Sequence, residues 1–276
     1  MKFKTIFILF NAILLFSFAF IFLMPFFLLG FDYSMPFWTK NWPLFAFFAA
    51  VLVGFNAFFG RNWRLFTLLE AERWDELGVL LEDRVFVKKR RDSRTVRLLV
   101  NTSLLRGDAA TIERLENTLR AEKPRALRRD AVIFGAARLL RNDAEASVRF
   151  LSEYADGKGV ENAAWIKFHH AFALVLDKRA REATAPLEAS VGARDPVLSL
   201  LSAYLLGSLC AVSAVGGERD RLKAVAEAER SRLAGRYAAR AWAREVERAK
   251  SEVHIVILSK ILDEASEWLY RAPASA

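Results

Sequence analysis

Residues 72–82 read ERWDELGVLLE, and this stretch decides the fold class predicted for the chain. A short polar turn, Glu72-Arg73, leads into a segment with apolar side chains at helical spacing: Trp74, Leu77, Leu80 and Leu81. One amphipathic helix cannot bury its apolar face by itself. The stretch is therefore either an ordinary surface helix or one copy of a repeating unit.

Similar polar turns between apolar helical segments recur along the chain at intervals of 35 residues. They fall at Glu72-Arg73, Gly107-Asp108, Asn142-Asp143 and Asp177-Lys178. A fixed period of 20–50 residues is typical of a solenoid, and 34 residues is the tetratricopeptide period. Past residue 61 no alternating run of β-branched residues predicts a strand, so we expect an all-α fold.

Residues 61–195 resemble tetratricopeptide-repeat (TPR) proteins in period and pattern. Trp74 takes the place of the aromatic residue, Pro124 ends the second unit, and Gly135 lies where a small residue lets two helices approach. The resemblance implies a right-handed α-solenoid; an irregular α-helical bundle is the alternative. Pro186 falls inside an expected helix, which should therefore begin near Thr184 or be kinked.

The first 60 residues are predicted to form a transmembrane helical hairpin. It has two uncharged apolar runs, about 5–29 and 43–60. A helix needs ~20 apolar residues to span a bilayer; the first run exceeds this length, and the second is near the short end of the range. Between them, residues 31–43 hold two prolines and several aromatic side chains, as an interfacial loop would. Asn11 and Asn56 lie within the runs, where each either bonds to another helix or is tolerated near its own backbone.

Flanking charge predicts the orientation of this hairpin. Lys2 and Lys4 precede the first run, whereas Arg61 and Arg64 follow the second. Lys and Arg stay on the cytoplasmic side, so both termini are expected in the cytoplasm, and the resemblance to two-span TPR proteins indicates a bacterial inner membrane. If the second run were re-entrant, the C-terminal region would lie on the opposite side.

Residues 196–272 are expected to close the solenoid as further helices and a C-terminal cap. Breaks are expected at the glycine pair 216–217 and at Gly235. The single cysteine, Cys210, excludes an internal disulfide and a cysteine-rich zinc site, and its apolar neighbours predict a buried side chain.

A partner-binding groove is predicted from the register of the first helices of the repeats. Its residues are Arg94, Arg97, Asn101, Arg129 and Lys167. A basic residue followed four positions later by Asn resembles half of the carboxylate clamp of chaperone-binding TPR domains, but Ile133 stands near the place of the second Asn. The groove should suit an acidic peptide; ordinary surface charge is the alternative.

Two further basic clusters accompany a net charge of +9, which favours acidic partners. One is a stripe of arginines at every fourth residue: Arg236, Arg240, Arg244 and Arg248. At this spacing they would share one face of a helix. That face either binds an acidic protein or lipid headgroups, or is simply solvated. KKRRDSR, residues 88–94, is either a solvated loop or a cluster that attracts anionic lipid. Without interleaved aromatic residues, nucleic acid is not expected as a partner.

The sequence gives no indication of catalysis. His169 and His170 are adjacent, so they point to different sides of a helix and are expected to pack or to face solvent. No phosphate-binding loop, nucleophile elbow or HExxH motif is present, so we expect neither an enzyme nor a cofactor or metal.

The function predicted from these features is that of a membrane-anchored scaffold whose TPR-like domain recruits a protein at the cytoplasmic face. One alternative is a subunit of a membrane, envelope or motility complex that assembles through its transmembrane helices. The other is a sensor of anionic lipid surfaces that uses the arginine stripe.

Overall fold

A computed structural model describes residues 3–141 and 143–271. Lys2 and Asn142, on which parts of the orientation and turn predictions rest, lie outside the described residues. The described chain is helical with no β-strand in it, which confirms the all-α prediction. It divides into two compact units, Met1–Lys88 and Lys89–Ala276.

The first unit is dominated by α1 (Phe3–Glu70), which is broken at Gly30. Gly30 has φ 75° and ψ 172°, a conformation that is open to glycine and strained for other residues. The arms on either side, 3–29 and 31–70, run antiparallel: the rings of Phe7 and Phe59 lie 5.4 Å apart, and those of Phe22 and Phe45 lie 5.3 Å apart. Together the two arms form a helical hairpin.

The prediction of an interfacial loop over residues 31–43 is wrong, because this segment belongs to the second arm. Since Gly30 alone reverses the chain, no longer loop is needed. Pro36 and Pro43 lie inside this arm. Ser34, one turn after the break, donates from its hydroxyl to the carbonyl oxygen of Gly30 at 2.8 Å.

The second arm continues into the first predicted repeat helix and ends at Glu70. A three-residue connection, 71–73, follows, with Glu72 at φ 52°, and the Arg73 N–H donates to the carbonyl of Leu68 at 3.0 Å. Next come α2 (Trp74–Glu82), which packs on α1, and a π-helical turn, Asp83–Val87. The opening stretch is thus the second helix of a helix–turn–helix pair.

The second unit consists of thirteen further α-helices in the described residues. In chain order they are α3 (Ser93–Leu105), α4 (Ala109–Glu122), α5 (Pro124–Arg129), α6 (Ala131–Leu139), α7 (Ala144–Ser152), α8 (Ala163–Leu176), α9 (Ala180–Glu188), α10 (Pro196–Leu205), α11 (Ala211–Ser213), α12 (Gly217–Arg236), α13 (Ala239–Ala249), α14 (Val253–Val256) and α15 (Ser259–Tyr270). A π-helical segment, Leu206–Cys210, joins α10 to α11.

The predicted turns separate the paired helices. Gly107 (φ 68°) lies between α3 and α4, and Lys178 (φ 61°) lies between α8 and α9. Asp108 and Asp143 cap the helices that follow: each side chain accepts from a backbone N–H three residues on, at 3.0 Å. Such caps satisfy donors that a helix start leaves without a partner.

Successive helices pack on their neighbours along the chain. Helix α6 contacts α3, α4, α7 and α8, and α8 in turn contacts α9 and α10. At Gly135 in α6, an added Cβ atom would lie 2.3 Å from Cδ2 of Leu151 in α7, so the expected close approach of two helices at this glycine is confirmed. The third pair departs from a simple hairpin, because α5 precedes α6 and the two helices meet at Asp130.

Two predicted helix boundaries differ from the structure. Of the two alternatives for the helix that holds Pro186, a start near Thr184 is wrong, because α9 begins at Ala180 and carries Pro186 in its interior; a kink there stays a prediction. Because Pro186 is close to the end of this nine-residue helix, few later backbone bonds depend on the turn it disturbs. Gly235 lies inside α12, and the chain breaks two residues later, where Tyr237 is extended (φ −118°, ψ 112°). The predicted break at Gly216 is confirmed, as is the burial of Cys210.

In the part of the chain that the structure describes, three helical segments are long and apolar enough to cross a membrane: Thr5–Leu28, Trp38–Glu70 and Pro196–Ser213. Few side chains of the first two are buried, whereas the third is mostly buried among the helices of the second unit. The C-terminal helices α12, α13 and α15 pack on α10, and the short α14 packs on α6.

Candidate partner-binding site

Three of the five predicted groove residues line one cavity of about 80 Å³. Arg97 and Asn101 reach it from α3, and Arg129 reaches it from the end of α5. The opposite wall is the chain around α14, including Ser251 and His254. The C-terminal segment therefore closes over the surface that the sequence assigned to a partner.

The groove is not a simple basic surface, because a buried carboxylate holds its arginines. Asp130 is 2% exposed, and its side chain accepts from Nε of Arg97 at 2.8 Å and from a terminal nitrogen of Arg129 at 3.0 Å. The hydroxyl of Ser93 donates to the same carboxylate at 2.8 Å. Arg97 also forms an ion pair with Glu161. Burial lowers the pKa of Arg97, but the bonds to Asp130 and Glu161 raise it more, so the net shift is upward.

Arg94 and Lys167, the other two predicted groove residues, are exposed and do not line this cavity. Within residues 3–141 and 143–271 neither forms an ion pair, so both positive charges face solvent. The amide oxygen of Asn101, in contrast, is buried, and the described part of the chain offers it no hydrogen-bond partner.

A larger cavity, of about 500 Å³, adjoins the first and shares Glu252 and His254 with it. Its walls carry both signs of charge, from Arg194, Asp195, Glu245, Arg248 and Glu252. The indole N–H of Trp165 donates to Asp195 at 3.0 Å, which fixes the aromatic side of this cavity. The two cavities together form a mixed-charge surface along the segment from α13 to α14, which faces α3, α5 and α6 in the smaller cavity and α8 and α10 in the larger one.

Two buried histidines lie where this segment meets α8. The ring centroids of His169 and His254 are 5.6 Å apart, and that of Trp165 is 5.1 Å from His254. Burial and, secondarily, the charge of Arg97 lower the pKa of His254 to about 4, and burial lowers the pKa of His169 well below its usual value. Both imidazoles are therefore neutral at pH 7. The expected packing role is confirmed for His169, which is fully buried, while the adjacent His170 is partly exposed.

The arginine stripe does not lie on one helix. Arg236 ends α12, whereas Arg240, Arg244 and Arg248 belong to α13, and the extended residue Tyr237 separates the two helices. The fourfold spacing therefore does not describe a single face. All four side chains are exposed, and Arg248 pairs with Glu245 at 2.6 Å.

The basic cluster at residues 88–94 is partly structural. Arg91 is 7% exposed and forms an ion pair with Glu122, the last residue of α4. Lys88 pairs with Asp83. A plain solvated loop therefore does not describe Arg91, although Lys89 and Arg90 remain exposed.

The sequence missed Asp130, Glu161 and the C-terminal segment 251–254. Asp130 follows Arg129 directly, so an acid beside a predicted groove arginine was visible in the sequence, but its burial and its bond to Arg97 were not. Glu161 and the segment 251–254 lie far along the chain from Arg97, and no local pattern brings them together. No group of three or more His, Cys, Asp or Glu side chains that could hold a metal ion occurs in the described residues.

Comparisons with known proteins agree on one relationship. The family model described as "Uncharacterised Treponema protein" matches residues 111–271, which run from α4 to α15 and include most of both cavities. An "Uncharacterized protein" of Treponema pallidum (strain Nichols) is 29% identical over 233 residues, which cover 82% of this chain and 74% of that relative. No solved structure matches the chain. The chain belongs to the family of uncharacterised Treponema proteins.

Proposed function

We propose that this protein is a membrane-anchored scaffold: the hairpin holds it in a bilayer, and the helical repeat unit binds a partner protein. The observation that carries the proposal is the surface of the hairpin. Large apolar side chains cover it, and Phe16 and Phe27 are 71% and 85% exposed. Contiguous exposed apolar surface of this kind marks membrane or protein contact, and both arms are long enough to span a bilayer.

The charges that flank the hairpin support the proposed orientation. Arg61 and Arg64 follow the second apolar run, and Lys2 and Lys4 precede the first. Since basic residues stay on the cytoplasmic side, both ends of the hairpin are proposed to face the cytoplasm of a bacterial cell. The repeat unit would then work at the inner face of the membrane.

The proposed TPR-like character of the repeat unit rests on its spacing and packing. Helix–turn–helix pairs recur near the 35-residue interval, and within the second unit each pair packs on the next. Repeats of this kind bury their apolar faces only against neighbours and leave extended surfaces for partners. An extended peptide is therefore the kind of partner that this unit suits.

Arg94 and Lys167 are the positions proposed to attract the acidic partner. Both are exposed, and no carboxylate of the described chain holds them, whereas Arg97 and Arg129 already bind Asp130. Carboxylates of a partner can pair with either side chain without breaking an ion pair of the described chain. Charge-assisted hydrogen bonds to such groups are about twice as strong as neutral ones.

In-cell crosslinking of the full-length protein followed by mass spectrometry tests this proposal. We expect one partner to be captured by the wild type and lost from the double variant Arg94→Glu/Lys167→Glu. The matched control, Arg181→Glu/Lys223→Glu, reverses two exposed charges on α9 and α12 and should keep the partner. If both double variants retain the partner equally, Arg94 and Lys167 do not form the site.

A second candidate function is that of a membrane-complex subunit that assembles through its hairpin, and the exposed phenylalanines of the arms favour it. Lipid tails cover such a surface as readily as a partner helix does. Replacing residues 3–60 with an unrelated two-span hairpin separates the two functions. Partners that survive the replacement support the scaffold, and partners that vanish support assembly through the arms.

A further inference from the structure

A patch of basic side chains lies where two corners of the second unit meet. The first corner is the start of the unit, where Lys89 and Arg90 belong to the chain that leads into α3. The second corner is the junction of α4 and α5: Lys123 is the single residue between these helices, and Arg125 lies in the first turn of α5. We call these four residues the corner patch.

An ion pair joins the two corners. Arg91 is buried and pairs with Glu122, the last residue of α4, so the chain before α3 is fixed to the junction of α4 and α5. The hydrogen bond from Arg91 lowers the pKa of Glu122, and nearby positive charges lower it further. The charges of Lys89 and Lys123 are among these, so both lysines lie close to the same carboxylate although they are far apart in sequence.

A cavity of about 570 Å³ lies at this junction. Four of the residues in its wall are basic: Arg91, Lys123, Arg125 and Arg129. Arg91 and Arg129 are balanced by carboxylates of the same chain, to which they are bonded. The other two form no ion pair within the described chain, so they supply the free positive charge of the wall.

The corner patch carries an excess of positive charge. All four of its side chains are exposed, and none forms an ion pair in residues 3–141 and 143–271. Asp92 provides one carboxylate nearby, which caps α3 by accepting from the N–H of Thr95 at 3.1 Å. Four free cations against this one carboxylate leave three positive charges in excess. Like charges repel at short range, so an anion that binds among them relieves this repulsion.

We propose that the corner patch binds the phosphate groups of anionic lipid at the surface of the bilayer that holds the hairpin. The inference rests on the proposed membrane anchor, because an anchored chain keeps the second unit at a high effective concentration beside lipid headgroups. Phosphate oxygens form strong charge-assisted hydrogen bonds with Lys and Arg. Each such cation near an anionic surface strengthens the contact about fivefold.

Two observations favour lipid over an acidic peptide as the ligand of this patch. The four cations stand at two helix junctions rather than along one groove, so they suit a surface covered with many phosphates. The patch also includes Lys89 and Arg90, which are the first residues after the unit that holds the hairpin.

Acetylation of the two patch lysines tests the proposal. The full-length protein in nanodiscs is treated with the uncharged reagent N-hydroxysuccinimidyl acetate, and peptide mass spectrometry gives the rate at each lysine. We expect Lys89 and Lys123 to react about tenfold more slowly in phosphatidylcholine mixed with phosphatidylglycerol than in phosphatidylcholine alone. The exposed Lys178 and Lys223 serve as internal references and should react equally in both. Raising the salt from about 0.1 M to about 1 M shortens the Debye length from about 10 Å to about 3 Å and should remove most of the protection.

Paired arginine variants locate the contact. Arg90→Gln/Arg125→Gln removes two patch charges and keeps both lysines as reporters; the contact should weaken about 25-fold, and most of the protection should be lost. The matched control, Arg240→Gln/Arg244→Gln, lowers the net charge equally through two exposed arginines of α13 and should keep the protection. All four arginines are exposed and without an ion pair in the described chain, so both variants should fold.

Co-elution with phosphatidylcholine nanodiscs separates this proposal from the anchor, because these discs carry no net charge. Protein that does not join them contradicts the anchor, and the lipid contact falls with it. Protein that joins them but has equal lysine reactivity in both lipid mixtures contradicts the corner patch alone. Equal loss of protection in the two arginine variants would show a general attraction of charge and overturn the assigned site. Protection by inorganic phosphate in neutral nanodiscs, as strong as that by phosphatidylglycerol, would assign the cavity to a soluble phosphate compound instead of lipid.

Discussion

The side-chain amide nitrogen of Asn56 lies 2.8 Å from the amide oxygen of Asn11, across the two arms of the hairpin. Each amide also donates to the backbone one turn before it, Asn11 to Phe7 at 2.9 Å and Asn56 to Leu52 at 3.0 Å. The two alternatives that the sequence left open, a bond between helices and a bond to the local backbone, thus occur together. The inter-arm bond fixes which residues of the two arms face each other.

Replacing either asparagine with leucine should loosen the hairpin. Hydrogen bonds between membrane helices contribute about 0.6 kcal/mol on average and at most about 1.7 kcal/mol. We expect a coupling energy in this range from a double-mutant cycle of Asn11→Leu, Asn56→Leu and the double variant, measured by unfolding in mixed micelles of increasing denaturing detergent. Strictly additive effects would show that the two amides do not interact.

Gly135 lets α6 approach Leu151 of α7 closely, and its replacement with alanine should destabilise the second unit. The new Cβ would lie 2.3 Å from Cδ2 of Leu151, a fully buried side chain, so Leu151 must move within a packed core. Overpacking of this kind costs about 1–3 kcal/mol. Hydrogen exchange of the α6 and α7 amides in the full-length protein measures the loss.

Gly235→Ala is the matched control for this substitution. Gly235 also lies inside a helix, α12, but nothing approaches within 4 Å of an added Cβ. Alanine there should stabilise the helix by up to about 1 kcal/mol. A second check is Leu151→Ala, which should make Gly135→Ala less costly than it is in the wild type. Equal effects of the two glycine substitutions would contradict the close approach.

Asp130→Asn should destabilise the region where α5 meets α6. The carboxylate is buried and holds Arg97, Arg129 and Ser93. Breaking a buried ion pair costs roughly 3–5 kcal/mol of stability. Because Arg97 and Arg129 are partly exposed, water can solvate their charges in part once the carboxylate is gone. The loss of stability should therefore fall near the lower end of that range. Faster hydrogen exchange in residues 124–139 reports this change.

A surface ion pair provides the comparison. Arg128 binds Asp156 at 3.1 Å, and both side chains are well exposed. Asp156→Asn should cost at most about 1 kcal/mol, because solvent screens such pairs. If Asp130→Asn were equally mild, Asp130 would not be the structural anchor of the groove arginines.

Local patterns predicted the helices and their turns well. The polar turns near Glu72, Gly107 and Lys178, the break at Gly216 and the close approach at Gly135 each depend on a few neighbouring residues. The loop over 31–43 failed because two prolines suggested an interruption, whereas the chain reverses at Gly30, the one position there whose φ and ψ require glycine.

The electrostatic character of the groove could not be predicted, because it depends on residues distant in sequence. Arg97 meets Asp130 and Glu161 only after α3, α6 and the chain before α8 have packed together. The helices α14 and α6 are even farther apart in sequence, and their contact places His254 over the predicted groove. The helical register of the repeats had left that groove open. Helix periodicity states which face is buried, but not which distant segment covers it.

The buried histidines predict how the stability of the second unit depends on pH. His254 has a pKa of about 4 in the folded protein, because burial and the charge of Arg97 oppose its protonation, and 6.5 is the ordinary value. Above pH 6.5 the imidazole is neutral in both states, so it makes no difference to stability. As pH falls from 6.5 towards 4, the unfolded chain takes up the proton first and unfolding becomes more favourable.

His254→Phe should remove this loss while it keeps a ring against Trp165 and His169. The shift from 6.5 to about 4 corresponds to about 3 kcal/mol, which the wild type loses and the variant does not. Groups that remain in both proteins also lose stability in acid: His169, whose pKa burial lowers, and carboxylates with lowered pKa such as Glu229. Their contributions largely cancel from the difference between wild type and variant. Urea unfolding followed by circular dichroism between pH 7.5 and 4 measures the two curves. Parallel curves would mean that His254 can be protonated without opening the contact between α14 and α8.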